Sequence, residues 1–316
     1  MTPCDKRMSQ MTGSVLLMAL VFFARRPADV PTPLLRRYVD GEKLSYQMNA
    51  VNEDSHYEIR ANGEAKRDST GIYFEEYSWS DFIFNGQRIT LSPAMVNFRQ
   101  RVTLDLNGRV VSPNLSKADP HVIGPLTDFM TFYVDLWLAI KANLAYPGDH
   151  AYVKRGTPNS WADGTHVVAG QDSIDFDLLF KRIESSDNIA VILVRHIPPK
   201  KPQLDLRADW MRASVADTQN NWFEIEKTKD GRYRAAVGKE TFDVELRVSL
   251  ANGKIISATM DNPLSTIERQ CLDPALSSCG EPKRRYITRH VEIALVPQPR
   301  TGMVRDGTPS HRNLPD

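Results

Sequence analysis

By type and spacing, the residues best placed to do chemistry are Cys271 and Cys279, in the segment CLDPALSSC. Neighbouring cysteines in a chain with an export-like start read as a disulfide at the mouth of a hairpin, formed in an oxidising compartment. The other reading is two unrelated thiols. A redox-active pair would need the C-x-x-C spacing, which is absent. The histidines (His56, His121, His150, His166, His196, His290 and His311) are scattered without metal-ligand spacing. Asp149, His150, Asp163 and His166 lie on neighbouring loops and could converge, although turn and surface roles explain them equally well. Asp172, Asp175 and Asp177 suggest a loose calcium ladder. However, Asp175 and Asp177 alternate with Ile174, Phe176 and Leu178, which assigns them to the wet face of a strand. No Gly-x-Ser-x-Gly elbow, phosphate-binding glycine loop or H-E-x-x-H pair occurs. A glycosidase-like carboxylate pair would leave no local motif. We assign no catalytic residue, no metal and no cofactor on this basis.

The elements that would position any site are mostly strands. Lys43 to Asn52 puts Leu44, Tyr46 and Met48 on one face, and Gly71 to Phe84 is dense in aromatic residues before an Asn85-Gly86 turn signal. Ile189 to Val194 is apolar on both faces and belongs at the centre of a sheet. Asn-Gly recurs at hairpin-like positions in Leu104 to Val111 and Leu250 to Ile256. In the second case Phe242, Val244, Leu246, Val248 and Leu250 alternate with polar residues. Matching them to Ile256, Ala258 and Met260 predicts a three-residue turn, with Gly253 at positive φ and Val248 opposite Ile256.

One helix stands out after Gly124. Leu126, Phe129, Met130, Tyr133, Trp137, Ile140 and Leu144 form a stripe, with Asp128 and Asp135 on the opposite side. Its remaining faces carry Phe132, Val134 and Leu138, more apolar than a surface helix needs. The expected fold class is mainly β (α+β): a large curved antiparallel sheet or half-barrel with one long apolar helix. Residues 36–296 form this β-rich domain, with 36–200 and 201–296 as candidate related halves. The strands flanking the cysteines are long enough to make the hairpin tip project beyond the sheet.

The ends differ from the body. Lys6 and Arg7 precede an apolar run from Val15 to Ala24, so residues 1–28 read as a signal peptide or an uncleaved membrane anchor, followed by a Pro-containing linker at 29–35. Arg25 and Arg26 follow the run, which favours retention as an anchor, and no small-x-small cleavage site is evident. Residues 297–316 lack periodicity and read as a disordered tail. The 40 basic side chains balance 39 acidic ones, leaving a net charge of +1, so no global field points to nucleic acid.

An export segment, strands, the run L-D-L-N-G-R-V-V at Leu104 to Val111, an apolar helix, the element Gly156 to Trp161 and a long antiparallel series follow in that order. This ensemble resembles uncharacterised secreted bacterial β-rich proteins and, at the level of fold, the periplasmic lipoprotein-localisation carriers. The resemblance implies a curved sheet lined by a helix that shelters acyl chains, in the periplasm or outside the cell. It transfers no functional residue. The expected function is a non-enzymatic binder of a lipid or other hydrophobic ligand in a groove between sheet and helix. Tyr73, Tyr77, Trp79, Phe129, Tyr133 and Trp137 are the candidate lining. The alternatives are an extracytoplasmic hydrolase and a cell-envelope interaction module.

Overall fold

The computed structural model of the chain describes residues 33–297, apart from 54, 110–114, 116–117, 157–159, 163–165, 171–172, 185, 199–201, 203 and 217. The export segment (1–28), the tail (298–316), Asp163 and Asp172 lie outside the described residues. Strand alternation in the sequence resolves into β1 (Lys43–Asn52), β2 (Ser55–Arg67), β3 (Tyr73–Phe84), β4 (Gln87–Arg88), a single helical turn α1 (Pro93–Val96) and β5 (Gln100–Val102). The long helix α2 (Pro120–Lys141) follows. After it come β6 (His150–Gly156), β7 (Ser160–Ala162), β8 (His166–Gly170), β9 (Ser173–Glu184) and β10 (Ile189–Ile197). A 3-10 turn (Asp209–Arg212) leads to β11 (Trp222–Lys227), β12 (Tyr233–Glu240), β13 (Phe242–Ser249), β14 (Ile255–Cys271) and β15 (Lys283–Leu295). The protein is mainly β, 52% strand and 13% helical, and its antiparallel sheet is not closed.

The sheet branches along β14. Its first half pairs with β13, from Val248↔Ile255 to Asp243↔Asp261, and its second half pairs with β12, from Glu240↔Leu264 to Tyr233↔Cys271. Pro263 sits at the fork. Its carbonyl accepts from the Thr241 N–H at 3.3 Å, so the side of the strand where its own N–H is missing is the side where the partner changes. Beyond β13 the sheet continues through β10 and β9 to β6; beyond β12 it continues through β11 and β8 to β7. On the other edge of β14 the strands run β15, β1, β2, β3, with β4 and β5 on β3. Strands from 36–200 and 201–296 interleave, since β1 pairs with β15 and β10 with β13.

Helix α2 fills the lobe formed by β13, β10, β9 and β6 with β15 and β1 to β5. Leu126 and Tyr133 meet β5 and β3, whereas Asp135, about half a turn round the axis, meets β10. A flat sheet can touch only one side of a helix, so this sheet curls around it. The helix begins at Pro120, earlier than its stripe implied, because Pro at the first helical position is tolerated there. Pro125 lies inside it, and it ends at Lys141 with Asn143 in the left-handed region, leaving Leu144 beyond the helix. No described helix is long and apolar enough to cross a membrane.

Two turn expectations separate. Asn85 and Gly86 both have positive φ, as a tight two-residue hairpin turn needs, and Phe84 pairs with Gln87. Gly253 has φ +70, and Leu246 faces Ala258 as expected. Val248, however, faces Ile255 rather than Ile256, and Ser249 closes on Lys254. The loop is thus four residues long, and the extra residue is absorbed as an irregularity at Ile256. The cause is tertiary. A Cβ on Gly253 would lie 2.3 Å from the Leu35 carbonyl oxygen, because residues 35–37 cross over this turn. Asn107-Gly108 closes a turn from Asp105 but makes no hairpin among the described residues.

The hairpin tip does not project. Cys271 and Cys279 form a disulfide, and Leu276 between them is fully buried with Met211, Phe223, Ile225 and Val237. Trp210 donates its indole N–H to the Leu276 carbonyl at 3.1 Å. The far half of β14 has a lobe of its own to cover, so the tip is folded into a second, smaller core.

Candidate functional site

Four of the six aromatic residues expected to line a groove form the packed centre of the helix lobe. Tyr77 and Phe129 meet edge to face at 4.8 Å, and Trp79 and Tyr133 lie 5.4 and 5.1 Å from Phe129. Tyr77 rests directly on the backbone of Gly63, where an added Cβ would lie 2.3 Å from its ring. The other two are placed differently. Tyr73 stacks on Tyr38 with ring centroids 5.2 Å apart, and Trp137 lies half-buried near the end of α2 between Lys141 and Arg155.

Ionic networks anchor this interior. Arg36 and Glu75, both buried, bond at 2.8 Å, and Arg36 also pairs with Glu42. Tyr77 and Tyr133 donate to the other Glu75 oxygen. Burial, then the Glu75 charge, raises both phenols well above their usual range. On the opposite side of α2, Asp128 accepts from Tyr57 at 2.8 Å and pairs with Arg289, and buried Asp135 holds His196 at 2.9 Å. Both aspartates lie opposite the apolar stripe, yet they are 4% and 0% exposed. The all-round apolar character of α2 was the available clue that it had no wet side. Glu240, beside the sheet fork, is raised to about 7, chiefly by burial and against the pull of Arg289.

The loops first considered for metal or hydrolytic chemistry behave otherwise. Asp149 accepts from the Ala145 and Tyr146 N–H groups and so closes its own turn. His150 pairs with Asp177 on the outer face of the sheet. There Arg195 meets Asp243 and His290 meets Asp261 as cross-strand pairs in solvent, and His290 also bonds Glu292 two residues along its own strand. A groove of about 430 Å³ runs over this row. No metal-holding cluster occurs among the described residues.

The larger groove, about 600 Å³, lies where β3 and β5 meet the turn at 105–108. Ile72, Phe74 and Val102 supply its apolar part, and Arg99, Arg101 and Arg109 add three guanidinium groups. Arg101 lies over the Phe74 ring at 4.6 Å and pairs with Glu76 at 2.9 Å. Among the described residues Arg99 donates only to the Val96 and Phe98 carbonyls. Asp68, the one acidic lining residue, is turned into its own loop, accepting from Thr70 and Ile72. Those bonds, led by the Thr70 hydroxyl, hold its carboxyl below the usual range. The turn is tight because Gly108 leaves room for Thr103, whose Cγ2 would lie 2.7 Å from an added Cβ. The groove can therefore take an apolar group carrying negative charge. Its arginines are scattered over loop and strand, and the sequence offered no pattern that joined them. No protein-family model and no curated protein sequence matches the chain.

Proposed function

We propose that this is an exported, non-enzymatic binding protein for an amphiphile with an anionic head and an apolar tail, seated in the groove of Ile72, Phe74 and Val102. One observation carries this reading: an apolar groove lined by three guanidinium groups, of which Arg101 is paired with Glu76, and whose one acidic lining residue among those described, Asp68, is turned into its own loop. The volume suits a small ligand, since such sites span about 300–1,000 Å³. Arginine suits the head because its planar fork matches a carboxylate or phosphate, and its weak hydration lets it lie on apolar surface. The expectation of a hydrophobic ligand is kept; its seat moves from the sheet–helix interior to the edge of β3 and β5.

The test compares two ligands with the same chain, laurate and dodecyltrimethylammonium, by calorimetry below their micelle-forming concentrations. Laurate should bind, the cation should not, and Arg99→Gln with Arg109→Gln should weaken laurate about tenfold or more. Equal binding of both amphiphiles, or no binding of either, would refute the reading. Cell fractionation checks export: oxidised protein should be recovered outside the cytoplasm, and reduced protein confined to the cytoplasm would count against it.

A further inference from the structure

Among the described residues β5 pairs only with β3 and β6 only with β9, and α2 makes contacts at both of these margins. On the β5 side Gln100 donates to the Leu126 carbonyl at 3.0 Å, and Lys141 donates to the Leu106 carbonyl at 2.6 Å. On the β6 side the contact is of another kind. Ala151 and Val153 face the core, and Arg155, next on the same face, lays its guanidinium over the Trp137 ring at 5.0 Å. Lys141 lies 5.2 Å from the centroid of the same ring. One indole thus has two cations beside it.

Two of the donors here have no acceptor among the described residues. Trp137 Nε1 and Arg155 Nη1 are both shielded from solvent and without a hydrogen-bond partner. Buried N–H groups are nearly always paired, so an orphan pair at one contact marks something that should be bound there. Arg155 also forms no ion pair among the described residues, and burial alone lowers its pKa. Arg36, Arg234 and Arg289 instead face carboxylates, while Arg269, which lies over the Trp210 ring at 5.3 Å, shares the unpaired guanidinium N–H but has no orphan indole beside it, since Trp210 donates to the Leu276 carbonyl.

We infer that the end of α2 and the margin of β6 form an oxyanion site, in which a carboxylate or phosphate accepts from the Trp137 indole N–H and the Arg155 guanidinium, with Lys141 adding charge. This site is separate from the groove at Phe74 and does not depend on it. The ligand's chemistry is fixed by the donors: two N–H groups and a net positive surround select an oxygen anion over a neutral or cationic group.

The test is a titration followed by the indole N–H resonances of the folded, full-length protein, with inorganic phosphate, acetate and laurate as probes. The Trp137 signal is identified by its loss in Trp137→Phe, which keeps a ring for Arg155 to lie on. A shift of this signal with phosphate identifies a free oxyanion. A shift with laurate but not acetate identifies the head of an amphiphile, and either result supports the site. Arg155→Gln should weaken the effect about tenfold or more, while Arg109→Gln, in the other groove, should leave it unchanged. Unshifted resonances with all three probes, or an undiminished shift in folded Arg155→Gln, would overturn the assignment.

Discussion

The two lobes that share β14 are stabilised by different means. The helix lobe wraps α2 in a deep apolar core and can therefore bury charge, as it does with Arg36–Glu75 and with Asp128–Arg289. The smaller lobe has a thin core of Met211, Phe223, Ile225, Ala235, Val237, Ile267 and Leu276, closed by the disulfide. Its ion pairs, Arg234 with Glu224, Glu226 and Glu268, are partly exposed. A curled sheet gains enough buried area to hold desolvated ions in fixed geometry; a shallow layer does not, and covalent closure makes up part of the difference.

The contrast breaks most severely at Phe129, which touches Tyr46, Tyr77, Trp79 and Tyr133. Phe129→Ala should cost about 3–5 kcal/mol, because rings held by β1, β3 and α2 cannot collapse into the space. Urea unfolding would show this as a global loss; a change confined to the smaller lobe would contradict the division. Reducing Cys271–Cys279 should be milder and local. The short loop it closes corresponds to about 2–3 kcal/mol. Amide exchange should quicken in β11, β12 and around Leu276 while α2 and β10 stay protected. Equal loosening of both lobes would show that they unfold as one unit.

The smallest effect tests the border. The Glu240 carboxyl is raised from an ordinary 4.5 to about 7, first by burial. A raised folded pKa means that the folded state binds the proton more tightly. The contribution to stability is therefore complete below about 4.5 and lost as pH rises through about 7. His290, raised by its bonds to Asp261 and Glu292, acts with the same sign above its ordinary value of 6.5, so a wild-type profile alone does not separate them. Between pH 5 and 8, Glu240→Gln should flatten the profile by about 1–2 kcal/mol after allowance for partial exposure. An unchanged slope would assign the titration to His290 alone.

Much of the fold was legible because local pattern and tertiary role coincide. Period-two alternation marked β13, two-faced apolarity marked β10 as central, and Asn85-Gly86 marked a turn whose geometry few other residue pairs accept. Legibility failed where one position answers to two neighbours. The loop at Gly253 is one residue longer than its alternation implies, and residues 35–37, more than 200 positions away, press on it.

By itself, then, the sequence determined the class of the fold, the long helix, the cysteine pair and the identity of the central strands. These follow from periodicity, steric preference and proximity along the chain, which are properties of a few adjacent residues. Only the tertiary structure decided that Asp128 and Asp135 face partners instead of water and that the disulfide-bonded tip folds inward. It also gathered Arg99, Arg101 and Arg109 around one groove and set Trp137 beside Arg155. Those outcomes depend on how a branched sheet curls and where its margins fall, and no short stretch of sequence encodes a meeting between residues from distant strands.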